Sequence, residues 1–255
     1  MMNIKRLVAP AALVCAAALA GCSFDKTAVQ EITTPDVPSS AVKFFNFGVG
    51  TPSVNFYAND TKLTAITSTT GAESTTGVAQ GGTGNGGFYN AIAPGQYTLT
   101  GKISAATDKD LAISNLAAQI ADGKYYSYYI SGIYNTTSKS AESFIVEDAL
   151  PAVDPAFAYI RFVNAISNST PQSLSVKQTT TGAVVAIGGA TAYKAASGFI
   201  AIPAGTYDLT TGLVVRTGVS FANGRVYTIA ARGDATISST GTSANRPQLD
   251  NTANR

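Results

Sequence analysis

Ala91-Ile92-Ala93-Pro94-Gly95-Gln96-Tyr97-Thr98-Leu99-Thr100 returns as Ala201-Ile202-Pro203-Ala204-Gly205-Thr206-Tyr207-Asp208-Leu209-Thr210. Gly95, Tyr97, Leu99 and Thr100 fall on Gly205, Tyr207, Leu209 and Thr210. Downstream, Asp122-Gly123-Lys124-Tyr125-Tyr126 matches Asn223-Gly224-Arg225-Val226-Tyr227, and upstream Val42-Lys43-Phe44-Phe45-Asn46 matches Ile160-Arg161-Phe162-Val163-Asn164. Three matches in one order describe a duplication. Their spacing of 101 to 118 residues is that of a domain and not of a solenoid repeat.

Each matched piece carries strand chemistry. Val42/Phe44 and Ile160/Phe162 alternate with Lys43 and Arg161, the period-2 pattern of a strand with one buried and one solvated face. The glycines at 95 and 205 sit where a tight turn needs unusual backbone angles. Asp122-Gly123 and Asn223-Gly224 are hairpin signals. After them Tyr126, Tyr128 and Ile130 share one face, as do Tyr227, Ile229 and Ala231. Residues 112–121 could form a helix on propensity. The repeat instead aligns Leu116, Ala118 and Ile120 with Thr217, Val219 and Phe221, which alternate as a strand. The fold expected is all-β: two tandem β-sandwich domains over 41–150 and 156–240. A Pro-interrupted linker spans 149–155, and the tail over 241–255 is polar and loose, with Pro247-Gln248-Leu249 as a candidate edge strand.

The run Val42-Lys43-Phe44-Phe45-Asn46, Pro52-Ser53-Val54-Asn55-Phe56-Tyr57, Pro94-Gly95-Gln96-Tyr97 and Asp122-Gly123-Lys124-Tyr125-Tyr126 resembles the bacterial domain-of-unknown-function 4397 family. The resemblance covers nearly all of 41–150 and, more weakly, 158–233, where Gln172-Ser173-Leu174-Ser175-Val176 stands in for the Pro-x-Val-x-Val-Tyr strand. It implies immunoglobulin-like sandwiches, often in tandem, on secreted or lipid-anchored proteins. It implies no catalytic residue. Where the family often has His after the first strand, this chain has Asn46 and Asn164.

At the amino end, Lys5-Arg6 precedes an apolar run from Leu7 to Ala20 that is too short to span a bilayer. Leu19-Ala20-Gly21-Cys22 follows and resembles the lipobox of bacterial lipoproteins. The expectation is a signal peptide over 1–21, lipidation at Cys22, and a tether over 22–40. Fully extended, the 18 residues of 23–40 reach about 60 Å. Ser23, by the same resemblance, favours the outer membrane. The expected location is therefore the cell envelope, anchored to the membrane through Cys22.

Removing 1–21 takes Lys5 and Arg6 but no acid, so 17 basic and 15 acidic residues become 15 of each. No basic face remains to drive nucleic-acid binding. The chain has no His, hence no imidazole base and no histidine metal site. Cys15 leaves with the signal and Cys22 is the acylation site, which removes thiol nucleophiles and thiolate zinc sites. The function expected is a non-catalytic envelope lipoprotein, a structural or adhesive module without cofactor or metal, with a glycan or an envelope protein as partner.

Four motifs bear on this reading. Gly82-Thr83-Gly84-Asn85-Gly86-Gly87 satisfies G-x-G-x-x-G but lacks the strand–helix context of a dinucleotide site. Asp108-Lys109-Asp110 and Glu147-Asp148 are the close acid pairs, without EF-hand spacing. Arg232-Gly233-Asp234 spells an adhesion tripeptide at a strand end. The dense aromatic run is the strongest. Alternation sends Tyr126 and Tyr128 inward and places Tyr125 and Tyr129 outward, where they would hold a sugar or a protein partner. That defines the alternative function, a carbohydrate-binding accessory lipoprotein using an exposed tyrosine face.

Overall fold

The computed structural model describes residues 37–64 and 76–255; the signal, Cys22 and most of the tether lie outside them. The first half contributes β1 (Ser40–Asn46), β2 (Val54–Ala58), β3 (Thr61–Lys62), β4 (Gly82–Thr83), β5 (Asn90–Ile92), β6 (Gly95–Ile103), β7 (Ala112–Ile120), β8 (Tyr125–Asn135) and β9 (Ser140–Glu147). The second contributes β10 (Phe157–Asn164), β11 (Gln172–Gln178), β12 (Val184–Thr191), β13 (Ile200–Pro203), β14 (Gly205–Thr210), β15 (Val215–Phe221), β16 (Val226–Arg232) and β17 (Gln248–Ala253). Among the described residues there is no α-helix, and the fold is all-β. The 112–120 segment, helical on propensity, is a strand.

The two halves repeat one topology. In the first, β1 lies between β8 and the short strands β4 and β5, with β9 beyond β8, and a second sheet runs β3-β2-β6-β7. In the second half the corresponding orders are β13-β10-β16-β17 and β12-β11-β14-β15. In both, the first strand pairs in parallel with the strand that follows the Asp-Gly or Asn-Gly turn: Val42 lies opposite Tyr126, and Ile160 opposite Tyr227.

The turn residues act differently from the sequence expectation. Asp122-Gly123 and Asn223-Gly224 do not close hairpins. β7 and β8 belong to different sheets, as do β15 and β16, so each turn carries the chain across the sandwich. Gly123 and Gly224 both sit at φ +68°, a conformation that costs a side chain but not glycine. The tyrosines shared by the repeats pin these crossings. Tyr126 Oη accepts from Ala121 N and Tyr227 Oη from Ala222 N, each at 3.2 Å. Tyr97 and Tyr207 donate to Ala93 O and Pro203 O at the other crossing. Local turn chemistry fixes φ and ψ but not which sheet receives the next strand.

Each sandwich encloses a core built from the inward alternation. Val42, Phe44, Val54, Phe56, Tyr128 and Ile130 fill the first; Ile160, Phe162, Leu174, Val176, Ile229 and Leu249 lie in the second. The tail, expected to be loose but for a candidate edge strand at Pro247-Gln248-Leu249, carries that strand as β17 along β16, with Ile229 opposite Asn251. The strand completes the edge of its sheet and buries Leu249, which a free tail would leave in water.

A third core corrects the reading of Lys43 and Arg161 as solvent-facing. Phe45, Phe47, Tyr129 and Phe144 from the first half pack with Val163, Ala165 and Ala230 from the second. The second faces of β1 and β8 therefore meet those of β10 and β16. Every residue of β1 is buried. Lys43 and Arg161, matched by the repeat, lie on these faces and are 2% and 1% exposed.

Candidate functional site

Tyr129, placed by alternation on an outward face, is fully buried. Its ring stacks on Phe45 at 4.5 Å between centroids and on Phe144 at 4.9 Å, and it touches Phe47. Burial holds its phenol above the ordinary tyrosine range. Alternation was right about the side of the sheet, but the other sandwich covers that side. Tyr125 is half-buried, edge-on to Tyr89 at 5.0 Å. It lines a cleft of about 360 Å³ with Lys124, Glu147 and Arg255. The two tyrosines form no common exposed platform, so the tyrosine sugar site is withdrawn.

The densest set of ionisable and polar groups lies in the contact between the sandwiches. Asp148, just past β9, is 2% exposed and forms an ion pair with Arg161 Nη2. It also accepts from Ser127 Oγ at 2.7 Å and Tyr89 Oη at 2.5 Å. Arg161 Nε donates to Thr228 Oγ1 (2.9 Å) and its Nη1 to Glu147 O (3.0 Å). Thr228 Oγ1 donates to Asn254 Oδ1, and Asn254 Nδ2 to Tyr89 Oη, both at 2.9 Å. Lys43 Nζ donates to Ala253 O and lies 4.3 Å from the centroid of the Tyr89 ring. β1, β8, β10 and β16 and the chain past β17 thus meet in one knot. Sequence reasoning singled out Glu147-Asp148 as an acid pair but had no signal for its partners, which come from both halves.

Electrostatics follow from burial. Desolvation pulls the Lys43 ammonium down from 10.5 to about 8, opposed by the Asp148 carboxylate and reinforced by Arg161. Burial, then the Asp148 charge, holds the Tyr89 phenol well above its usual range. Because the folded pKa of Lys43 lies below the unfolded one, the unfolded chain binds the extra proton between pH 8 and 10.5. Stability carried by Lys43 therefore rises with pH over that window. Relative to Lys43→Met, the parent is expected to gain about 2 kcal/mol from pH 7.5 to 9.5, read as the difference between urea unfolding curves. Tyrosines with raised pKa act in the opposite direction above about pH 10, so the range stops short of it. A parallel pair of pH curves would show that Lys43 is not desolvated.

The remaining motifs fall elsewhere. Gly82-Thr83 pairs with Asn46 and Phe45, and Gly84–Gly87 is a 3-10 turn leading to β5, so no helix follows the glycines. Asp108 pairs with Lys139. In the Arg232-Gly233-Asp234 triplet, Arg232 is drawn to Asp250 and lies over Phe47, while Asp234 accepts from Thr236 and Asn168. The triplet is not a free loop tip. Among the described residues no group of three or more acidic or cysteine side chains is placed to hold a metal ion, and no helix is long and apolar enough to cross a membrane.

No protein-family model matches the chain, and no curated protein matches it. Among solved structures, the Bacillus anthracis TIE protein is similar over 76% of this chain and 33% of its own, at 12% identity and a TM-score of 0.22. A leucine-rich repeat protein from Bacteroides thetaiotaomicron VPI-5482 is similar over 78% of this chain and 26% of its own, at 13% identity and a TM-score of 0.21. The chain spans a third or less of the length of either.

Proposed function

We propose that the protein is a lipid-anchored, non-catalytic module of the bacterial cell envelope, two immunoglobulin-like sandwiches locked face to face and anchored through Cys22. The observation that carries this reading is the sealed knot. Lys43, Asp148 and Arg161 are each no more than 2% exposed, and their polar atoms are engaged by protein groups. Such a set joins the two sandwiches through groups drawn from both. Inter-domain contacts of mainly polar surface usually permit relative motion. Here stacked aromatics and a buried ion pair favour a fixed packing of the two sandwiches.

The immunoglobulin-like assignment draws on the pinned crossings, since a tyrosine hydroxyl bonded to backbone a few residues upstream is a feature of such sandwiches. It also draws on the resemblance to domain-of-unknown-function 4397 repeats. Membrane attachment draws on Leu19-Ala20-Gly21-Cys22. One acyl chain anchors only marginally, and the triacyl modification that a lipobox implies exceeds that threshold.

The test is metabolic labelling with palmitate in the bacterial host. Label is expected on the parent and absent from Cys22→Ser, and the amino-terminal peptide is expected to begin at a modified Cys22. Label retained by Cys22→Ser, or a mature amino terminus without acyl mass, defeats the reading.

A further inference from the structure

The geometry points to a binding site for a carboxylated sugar, a uronic acid unit of an acidic polysaccharide, in the cleft between β15 and β17. This deepens the module reading by giving it a ligand, and does not depend on acylation. β15 and β17 are the outermost strands of their sheets on one side of the second sandwich, so the cleft opens where the two sheet edges part. Its volume is about 360 Å³, within the range of small-ligand sites. Val214 and Leu249, both members of the second core, line it from below, and Val215, 60% exposed, stands at its wall.

Two guanidinium groups line the cleft. Arg216 Nη1 donates to Leu249 O at 2.7 Å, which ties one edge strand to the other. Arg246 Nη1 donates to Ser243 O at 2.9 Å. Each guanidinium carries five N–H donors, so these bonds fix the forks and leave further donors for an anion. The acid in the cleft, Asp250, is already paired with Arg232 outside it and does not neutralise them. In a chain only 13% charged, two arginines in one recess, without an ion-pair partner among the described residues, form a local positive field.

The rest of the lining selects among anions. Ser239 offers a hydroxyl, and the Asp250 carboxylate can accept from a sugar hydroxyl with the oxygen not bonded to Arg232. Val215 offers aliphatic surface to the C–H face of a pyranose. A carboxylate on the forks, hydroxyls on Ser239 and Asp250, and a ring face on the aliphatic wall together match a uronic acid. A nucleic acid would call for a longer track of cations and stacking aromatics.

The experiment titrates the full chain, in detergent micelles, with a galacturonic acid trisaccharide, its methyl ester and inorganic phosphate. The acid is expected to bind at least tenfold more tightly than the ester and to weaken as salt is raised. Arg216→Gln with Arg246→Gln is expected to lose at least tenfold in affinity while palmitate labelling is unchanged. Should loss of the Arg216–Leu249 bond unfold that variant, Ser239→Trp fills the cleft from a loop, keeps both arginines, and is expected to abolish binding. Equal affinity for acid and ester, binding unaltered by these substitutions, or phosphate binding as tightly as the trisaccharide would each overturn the assignment. Since acylation is read separately by mass, failure here leaves the anchored-module reading standing.

Discussion

Arg161→Met is expected to lower the unfolding free energy by about 3–5 kcal/mol at neutral pH, the scale found when one member of a buried ion pair is removed. The loss is not the worth of the ion pair. It arises because Asp148 stays behind, buried, with only Ser127 and Tyr89 left to donate to it. Three further contacts go with the guanidinium: the bonds to Thr228 Oγ1 and Glu147 O and the stacking over Phe199 at 5.0 Å. Lys43, whose charge already couples to Asp148, remains nearby and offsets part of the loss.

Arg161→Met combined with Asp148→Leu removes both charges and is expected to recover at least half of the deficit, since apolar replacement of a whole buried pair is often neutral. Urea unfolding of parent, single and double variants gives the coupling directly. A cost below about 1 kcal/mol for Arg161→Met would mean that the pair is hydrated in solution and that the sandwiches are not sealed.

Tyr129→Ala is expected to cost about 3–5 kcal/mol, as for other large buried aromatics cut back to alanine. The ring lies between Phe45 and Phe144 and against Phe47, so its loss opens a void between the sandwiches where no strand can close in. Tyr129→Phe keeps the stacked ring and is expected to stay within about 1 kcal/mol of the parent. Tyr125→Ala, at a half-buried position, is expected to have a smaller effect than Tyr129→Ala. A thermal scan of the three variants orders them. If Tyr129→Ala melted with the parent, the residue would be on a free surface and the sandwiches would not meet there.

Both results would bear on one structural fact: the two copies of the repeat present matched faces to each other. Lys43 and Arg161 occupy corresponding places, as do Ser127 and Thr228 and also Phe45 and Val163. The chain packs against itself much as a two-fold dimer would, with one linker joining the partners. The differences between the copies allow the contact to be satisfied. Two arginines or two lysines at the matched positions would meet one Asp148, whereas the present pair gives Arg161 the carboxylate and directs Lys43 to Ala253 O and the Tyr89 ring.

Strand identity, the duplication and the inward side chains were legible in the sequence because they are local. Period-2 alternation put Val42, Phe44, Tyr128 and Ile229 in cores, and Gly123 and Gly224 marked turns that only a permissive residue makes. The same alternation assigned Lys43, Arg161 and Tyr129 to the opposite face and could say nothing about what covers it. A charged residue on a strand is ordinarily a sign of water, and only the second sandwich, more than a hundred residues away, turns that face into an interior. Likewise a turn sequence dictates backbone angles but not the sheet that the next strand joins, so Asp122-Gly123 read as a hairpin is a crossing. Tertiary structure alone decided which groups are desolvated, because desolvation depends on the surface that arrives from elsewhere in the chain.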